Sequence, residues 1–437
     1  MNQNKFNYIL KNFALIYQLD KVKELDIDFN GDKNSEAKII INTNSSLSSS
    51  PYYREWSKRK IPFLFNNEDN GDILNCSNNQ CIINYDILSA SFYLLSGKQE
   101  IDCKKRDKHD RFEFNESLQK KLNFVDYPLV NYYFDILKTA IEKVYSIKLD
   151  FNHGFTICLS HDIDEVTSAW KHRIRISLQN KKIRKSISQF INHCISPFQP
   201  WKNIEDIIDI ESKYGVKSTF FFLTNDNKVG EIKNADYSLT NNYINSSIKK
   251  IISNNSEIGL HGSYRTHDIE KEFMGDLNQL SSRINNPILG NRFHFLQWDM
   301  SKTPSIIEQS GLEYDTSLGF QEQIGFRNGI CNPFYLYDFE NDTPYNFLEI
   351  PLTIMDCSLA FENYMGVSVS EAKIEANSMI NEVEKWNGTL VFNWHNTFIS
   401  EYLNPEWRIF YSNLLVQIDK NKFNTTTLGA VAKKYKK

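Results

Sequence analysis

From Phe155 onward, short apolar runs alternate with longer stretches of helical periodicity. The run Phe155-Thr156-Ile157-Cys158-Leu159 is too short for a helix and reads as a buried strand. Residues 218–223, 257–260, 287–292, 347–353 and 389–394 read the same way. Between them, 204–214, 243–252, 268–284, 303–311 and 370–386 predict helices, the first closed by Gly215 just past its end. Strand-then-helix repetition predicts a parallel sheet or a closed (β/α) barrel. In such barrels, functional groups gather at the C-terminal ends of the strands.

The pattern before residue 150 is different. Residues 37–41 and 81–85 predict strands, 86–96 a helix with Asp86 as N-cap, and 128–147 a helix opened by Pro128. We read 1–150 as a smaller α/β domain and 151–437 as the barrel. A basic segment at about 170–201 interrupts the barrel pattern. Lys171, Arg173, Arg175, Lys181, Lys182, Arg184 and Lys185 alternate there with apolar residues, and no acidic residue intervenes. It reads either as a solvated helix-loop insertion or as an interfacial segment leaning on an anionic membrane.

Composition narrows the class. At 41% hydrophobic and 24% charged the chain is an ordinary globular protein, and 437 residues allow a large core. A net charge of −4 argues against a nucleic-acid partner. The first residues lack a charged-then-apolar leader, so a cytoplasmic protein is expected, with its seven scattered cysteines reduced.

The polar residues that close the apolar runs carry the chemistry. Ser160-His161-Asp162-Ile163-Asp164 follows the first strand. Residues two apart in a strand share a side, so Asp162 and Asp164 project together. Two adjacent carboxylates repel unless a metal, a shared proton or a cationic partner intervenes. His261 and His267 stand in one loop, and imidazole with carboxylate suits zinc or a similar divalent ion. His395 ends the strand Leu390-Val391-Phe392-Asn393-Trp394 and is either a core residue or a general acid, with Asp315 available to orient it. Arg292 and His294 close another run.

In this order the motifs resemble those of the polysaccharide deacetylase family, over roughly residues 150 to 400. Ser160-His161-Asp162-Ile163-Asp164 is similar to the family's Thr-Phe-Asp-Asp-Gly, with one residue between the aspartates. His261-Gly262-Ser263 is similar to the start of His-Ser/Thr-x-x-His, Arg292-Phe293-His294-Phe295 to Arg-x-Pro-Tyr, Asp315-Thr316-Ser317 to Asp-x-Ser, and Leu390 to His395 to the last strand-and-histidine motif. The resemblance implies a distorted (β/α) barrel that uses a divalent metal, Zn2+ foremost, to remove an N-acetyl group from a sugar. It implies Asp162 as general base, Asp164 and His261 as metal ligands, Arg292 holding Asp162 ionised, and Asp315 orienting the general acid His395. The chain departs from the family pattern at the second metal histidine, where Arg265 stands; His267 and His294 are the candidates for the third ligand, and His294 is preferred because its strand end should face the site. The implied partner is an N-acetylated glycan or its lipid-linked or nucleotide-linked precursor. Two alternatives stay open, a hydrolase of a non-sugar amide and a saccharide-binding protein with a decayed site.

Overall fold

The computed structural model describes the whole chain except residues 21–23, 33, 45, 78, 169–170, 172–186, 188–201 and 437. The expected basic segment therefore lies outside the described residues, apart from Lys171 and Ile187.

The N-terminal part opens with helix Gln3–Ile16, capped by the Asn2 side chain on the Lys5 N–H. It continues with strands β1 (Ile27–Asp28), β2 (Ile39–Ile41), β3 (Tyr52–Trp56), β4 (Arg59–Phe63), β5 (Leu74–Cys76) and β6 (Cys81–Ile83). These form a four-stranded sheet in the order β1-β2-β6-β5 and a β3–β4 hairpin. Helix Ile87–Leu95 starts at Asp86, whose carboxylate accepts the Ser89 N–H as expected of an N-cap. The expectation of reduced thiols fails at Cys76 and Cys81, which are joined in a disulfide. The antiparallel β5–β6 register sets them directly opposite each other, with Cα atoms 4.0 Å apart.

The rest of the chain supplies β7 (Thr156–Ile163), β8 (Thr219–Phe222), the short pair β9 (Lys228–Val229) and β10 (Ile232–Lys233), β11 (Glu257–Gly262), β12 (Gly290–Phe293), β13 (Tyr314–Asp315), β14 (Phe334–Asp338), β15 (Thr343–Glu349), β16 (Leu352–Met355), β17 (Thr389–Asn393) and β18 (Asn424–Thr425). The main sheet runs β14-β15-β13-β12-β11-β8-β7-β17-β16, with β18 added beside β7. Apart from β14, its neighbours pair in parallel. The last strands, β17 and β16, sit on the far side of β7, so the sheet curls round on itself as a barrel does. Between β15 and β16 no pairing closes it.

That opening has a local cause. The strand expected over 347–353 is two strands, broken at Ile350-Pro351, where proline has no N–H to give to a ladder. Residues 316–333 fill the seam. The Leu318 N–H donates to Glu349 at 2.9 Å and the Gly325 N–H to the Thr353 carbonyl at 2.9 Å. Gly319 passes so close that a Cβ there would lie 2.8 Å from the Leu352 carbonyl oxygen. The hairpin β14–β15 was not expected, although Phe334-Tyr335-Leu336-Tyr337 is rich in strand formers; only residues 347–349 of it were read as strand.

One buried apolar cluster runs from Phe6 to Tyr435, across both parts of the chain. Polar ties cross with it. Glu100 makes a two-pronged ion pair with Arg327 (2.9 and 2.7 Å), and both are almost fully buried. Among the described residues no helix is long and apolar enough to cross a membrane. Removing one partner of a buried pair strands the other charge. Glu100→Gln should therefore cost about 3 to 5 kcal/mol in denaturant unfolding; a loss below about 1 kcal/mol would show that Arg327 finds other compensation.

Candidate metal and catalytic centre

The parallel register brings distant residues to one level. Ile163 of β7 faces Phe222 of β8, and Phe222 faces Leu260 of β11. Asp164 and His261 each stand one residue beyond that row. His261 in turn pairs with Arg292 of β12, and His294 follows at the end of that strand. On the other flank Ser160 faces Asn393 of β17, and Asn393 faces Met355 of β16. His395 and Asp356 lie just past those two positions.

Alternation along β7 sorts its side chains. Asp162 points inward. His161 points outward into a buried network, with its ring nitrogens on the Trp394 carbonyl (2.8 Å) and Glu211 (2.9 Å). Glu211 also accepts from Ser218 and Tyr411. His161 is therefore a packing residue.

Asp164, His261 and His294 offer one ligand atom each, all within 4.8 Å of one another. His261 Nε2 is 3.4 Å from Asp164 Oδ1, and His294 Nε2 is 3.8 Å from Asp164 Oδ2. Each imidazole is oriented through its other nitrogen. His261 Nδ1–H donates to the Arg292 carbonyl at 2.7 Å, and His294 Nδ1–H faces Asn234 Oδ1 at 3.4 Å. Both Nε2 lone pairs are thus turned toward Asp164, in the manner of metal-bound histidines. Asp164 Oδ1 is buried and has no hydrogen-bond donor. One carboxylate and two oriented imidazoles around an orphaned oxygen fit a divalent cation.

Asp162 sits beside this trio. Its Oδ1 accepts from Arg292 at 2.9 Å and its Oδ2 from Asn393 at 2.7 Å. Arg292 is fully buried and also donates to Ser160 Oγ (2.9 Å) and the Thr316 carbonyl (3.2 Å). Burial pushes the Asp162 carboxyl up, but Arg292, His261 and His395 outweigh it and hold it below the ordinary range. Asp164 is likewise held low, burial being overcome by His294, His261 and His395. Burial pushes His294 down to about 4, whereas the two carboxylates overcome burial at His261 and raise it.

His395 Nε2 lies 3.9 Å from Asp162 and 3.7 Å from Asp164. Its Nδ1–H donates to Asp356 Oδ1 at 2.7 Å, and its backbone N–H to Asp356 Oδ2 at 2.6 Å. Asp356 overcomes burial and lifts the imidazole well above its ordinary pKa. The centre opens on a cavity of about 340 Å³, whose other walls include Phe295, Leu296, Gln321, Met355, Phe361 and Phe398.

Two expected residues are not part of this centre. Asp315 does not reach His395. It accepts from Asn291 Nδ2 (2.7 Å) and the Ser317 N–H (2.7 Å), because it lies on β13, across the barrel wall beside Glu349. Asp356, at the end of β16, orients the imidazole instead. The sequence signal for it was its place after an apolar strand, Leu352-Thr353-Ile354-Met355, of which only the first two residues were included in the run read over 347–353. His267 is buried, but both its ring nitrogens lack partners and it belongs neither to the Asp164–His261–His294 cluster nor to the second group of candidate ligand atoms, Asp356, Cys357 and His395, among the described residues. The loop turns at Arg265 (φ 71°), whose N–H donates to Gln297, and this carries His267 away toward Phe293. Asn393 and Asn234 were also missed, since an amide that steadies a ligand has no spacing of its own.

A family model, described only as a family of unknown function, matches residues 3–146. No curated protein matches the chain. Among solved structures, a candidate polysaccharide deacetylase from Mycobacterium smegmatis is similar at 15% identity and a TM-score of 0.41, over 64% of this chain and 90% of that one. A candidate polysaccharide deacetylase from Pseudomonas aeruginosa is similar at 10% identity and TM-score 0.44, over 65% and 91%. An allantoinase is similar at 11% and 0.43, over 65% and 91%. Likenesses this distant carry no residue's role across.

Asp315 and Glu349 generate a pH dependence. Burial pushes Asp315 up to about 6, and burial with Asp315's charge pushes Glu349 well above its ordinary range. Both folded-state values exceed the unfolded ones of about 4. The stability they contribute is complete below that value and is lost as pH rises through about 6 and beyond. Glu349→Gln should flatten the fall in melting temperature between about pH 5 and about pH 8 relative to the natural protein; an equally steep fall would show that the pair does not hold its protons.

Proposed function

We propose that the protein hydrolyses the N-acetyl group of an amino sugar in a metal-dependent reaction, within the metabolism of a bacterial surface polysaccharide. The observation that supports this reading is the convergence, on one cavity, of a three-ligand cluster with an ionised Asp162 and a protonated His395. Asp164, His261 and His294 would hold the cation. When bound, a divalent ion such as Zn2+ supplies a Lewis acid for the amide carbonyl and makes water more acidic.

The chain's own residues divide the proton work. Asp162 is kept ionised by Arg292, lines the cavity and has Oδ2 on the side of His261 (3.8 Å) and His395 (3.9 Å), so it can accept the proton of the attacking water. Its low basicity suits a water that is already acidified. His395 carries its proton on Nε2, because Nδ1–H is held by Asp356. That proton goes to the departing nitrogen as the C–N bond breaks, leaving acetate and a free amine. A carboxylate that stays basic beside an imidazole that stays protonated is the separation acid–base catalysis requires. The apolar walls Leu296, Met355, Phe361 and Phe398 favour a second reading, in which the amide belongs to a less polar, non-sugar substrate.

Acetate release from N-acetylglucosamine oligomers by Zn2+-loaded protein tests the first reading. Asp162→Asn and His395→Ala should each lower kcat by about 10²- to 10⁴-fold, and Asp164→Ala should abolish Zn2+ uptake. A protein that takes up Zn2+ yet releases no acetate would overturn the sugar substrate; one that takes up none would overturn the metal centre.

A further inference from the structure

His294 is presented by a strained turn, closed on itself only by the Gln297 N–H on the His294 carbonyl at 3.4 Å. The two residues after it, Phe295 and Leu296, have φ of 62° and 54°, a region that residues other than glycine rarely adopt. Consecutive residues of this kind persist when their surroundings over-determine them. The N-terminal part of the chain supplies those surroundings.

Arg111 NH1 donates to the Phe295 carbonyl at 3.1 Å and to Gln321 Oε1 at 2.9 Å. Phe295 and Gln321 both line the cavity, on the His294 turn and on the seam-filling segment respectively. The guanidinium is fixed from behind by Asp107, which accepts from Nε at 2.8 Å and NH2 at 2.6 Å. Asp107 in turn accepts the N–H groups of His109 and Arg111, so the loop is braced on itself. The His109 ring packs on Phe295 with centroids 4.7 Å apart, and the His109 carbonyl accepts from Gln297 at 2.7 Å. Arg111, His109 and Gln297 are all buried.

We infer that Arg111 is a positioning residue for the metal centre, holding the 294–296 turn so that His294 Nε2 faces Asp164; this rests on the metal-site reading above. It assigns the N-terminal part a task at the centre without contributing a ligand. It also explains how a histidine displaced from the usual loop position, where Arg265 stands, can serve as third ligand. The alternative is that Arg111 only glues two parts of the chain together.

Zn2+ affinity of the full-length, chelator-stripped protein separates the two, measured by competition with a chromophoric chelator. Each variant is checked for its fold by circular dichroism, and the absorption of the Co2+-substituted protein is recorded alongside. Outer partners of metal ligands typically contribute about 10- to 100-fold to affinity. Arg111→Met should weaken Zn2+ binding by about that factor and shift the Co2+ spectrum. In a His294→Ala background the same substitution should change affinity by less than about threefold, since the ligand it positions is gone. Arg111→Lys keeps a charge but has a single nitrogen, so it cannot bind Asp107 and reach Phe295 and Gln321 at once, and it should show the same loss in smaller degree; it carries the test if Arg111→Met does not fold. If His294→Ala weakens binding and the Arg111 variants do not, or if they weaken it equally in both backgrounds, the positioning role is overturned while the metal site stands. If the natural protein binds no Zn2+, both readings fall together.

Discussion

A guanidinium with no access to solvent stands at the centre of the barrel, and much of the surrounding structure answers to it. Burying a charge is costly unless it is paired and hydrogen-bonded. Arg292 meets most of that demand with the Asp162 carboxylate, the Ser160 hydroxyl, the Thr316 carbonyl and the face of Phe221, 4.5 Å from its ring centroid, while Nη2 is buried without a partner. Those partners come from β7, β8 and the segment after β13, so one side chain ties the inner faces of several strands together. The same pairing commits Asp162 to its ionised form. The second carboxylate, Asp164, then has no guanidinium left to neutralise it and is surrounded by imidazoles. A fixed negative charge ringed by imidazole nitrogens is a setting in which a divalent cation can replace their protons.

Strand register converts this charge balance into geometry. Asp164, His261 and His294 are far apart in sequence, but β7, β11 and β12 belong to one ordered sheet, and each residue sits at or just past a strand end. His395 and Asp356 arrive by the same rule from β17 and β16 on the opposite flank. His395 and the three-residue cluster thus approach Asp162 from two sides, with the unpaired seam between β15 and β16 leaving room for the residues that shape the cavity.

The strand ends were legible in the sequence because a buried parallel strand is a short apolar run whose last polar residue is conspicuous. Asp162, Asp164, His261, Arg292, His294 and His395 could all be named that way. What failed depended on contacts that periodicity does not encode. The run over 347–353 looked continuous, so its break at Pro351 and the strand end at Asp356 went unseen, and Asp315 took the role of orienting His395. The disulfide between Cys76 and Cys81 depended on a hairpin register too short to read. The choice between His267 and His294 stayed open because it turns on the path of the loop at Arg265, set by a hydrogen bond to Gln297 from another element. Helix Gln3–Ile16 packs an apolar face on β14 and β15, strands that were themselves only partly visible.

His294 shows how a side chain at a strand end can depend on supports from elsewhere in the chain. Four residues past His261 stands Arg265, half-exposed and leaning on Tyr264 and Asp110. A histidine placed directly after β12 gains its height from the sheet but not its direction, because the chain must turn sharply to leave the strand. The turn uses left-handed backbone at two bulky residues, which local sequence alone does not favour. Buried hydrogen bonds from outside the barrel compensate. The direction of the His294 side chain therefore has to be read together with contacts made from a distant part of the same chain.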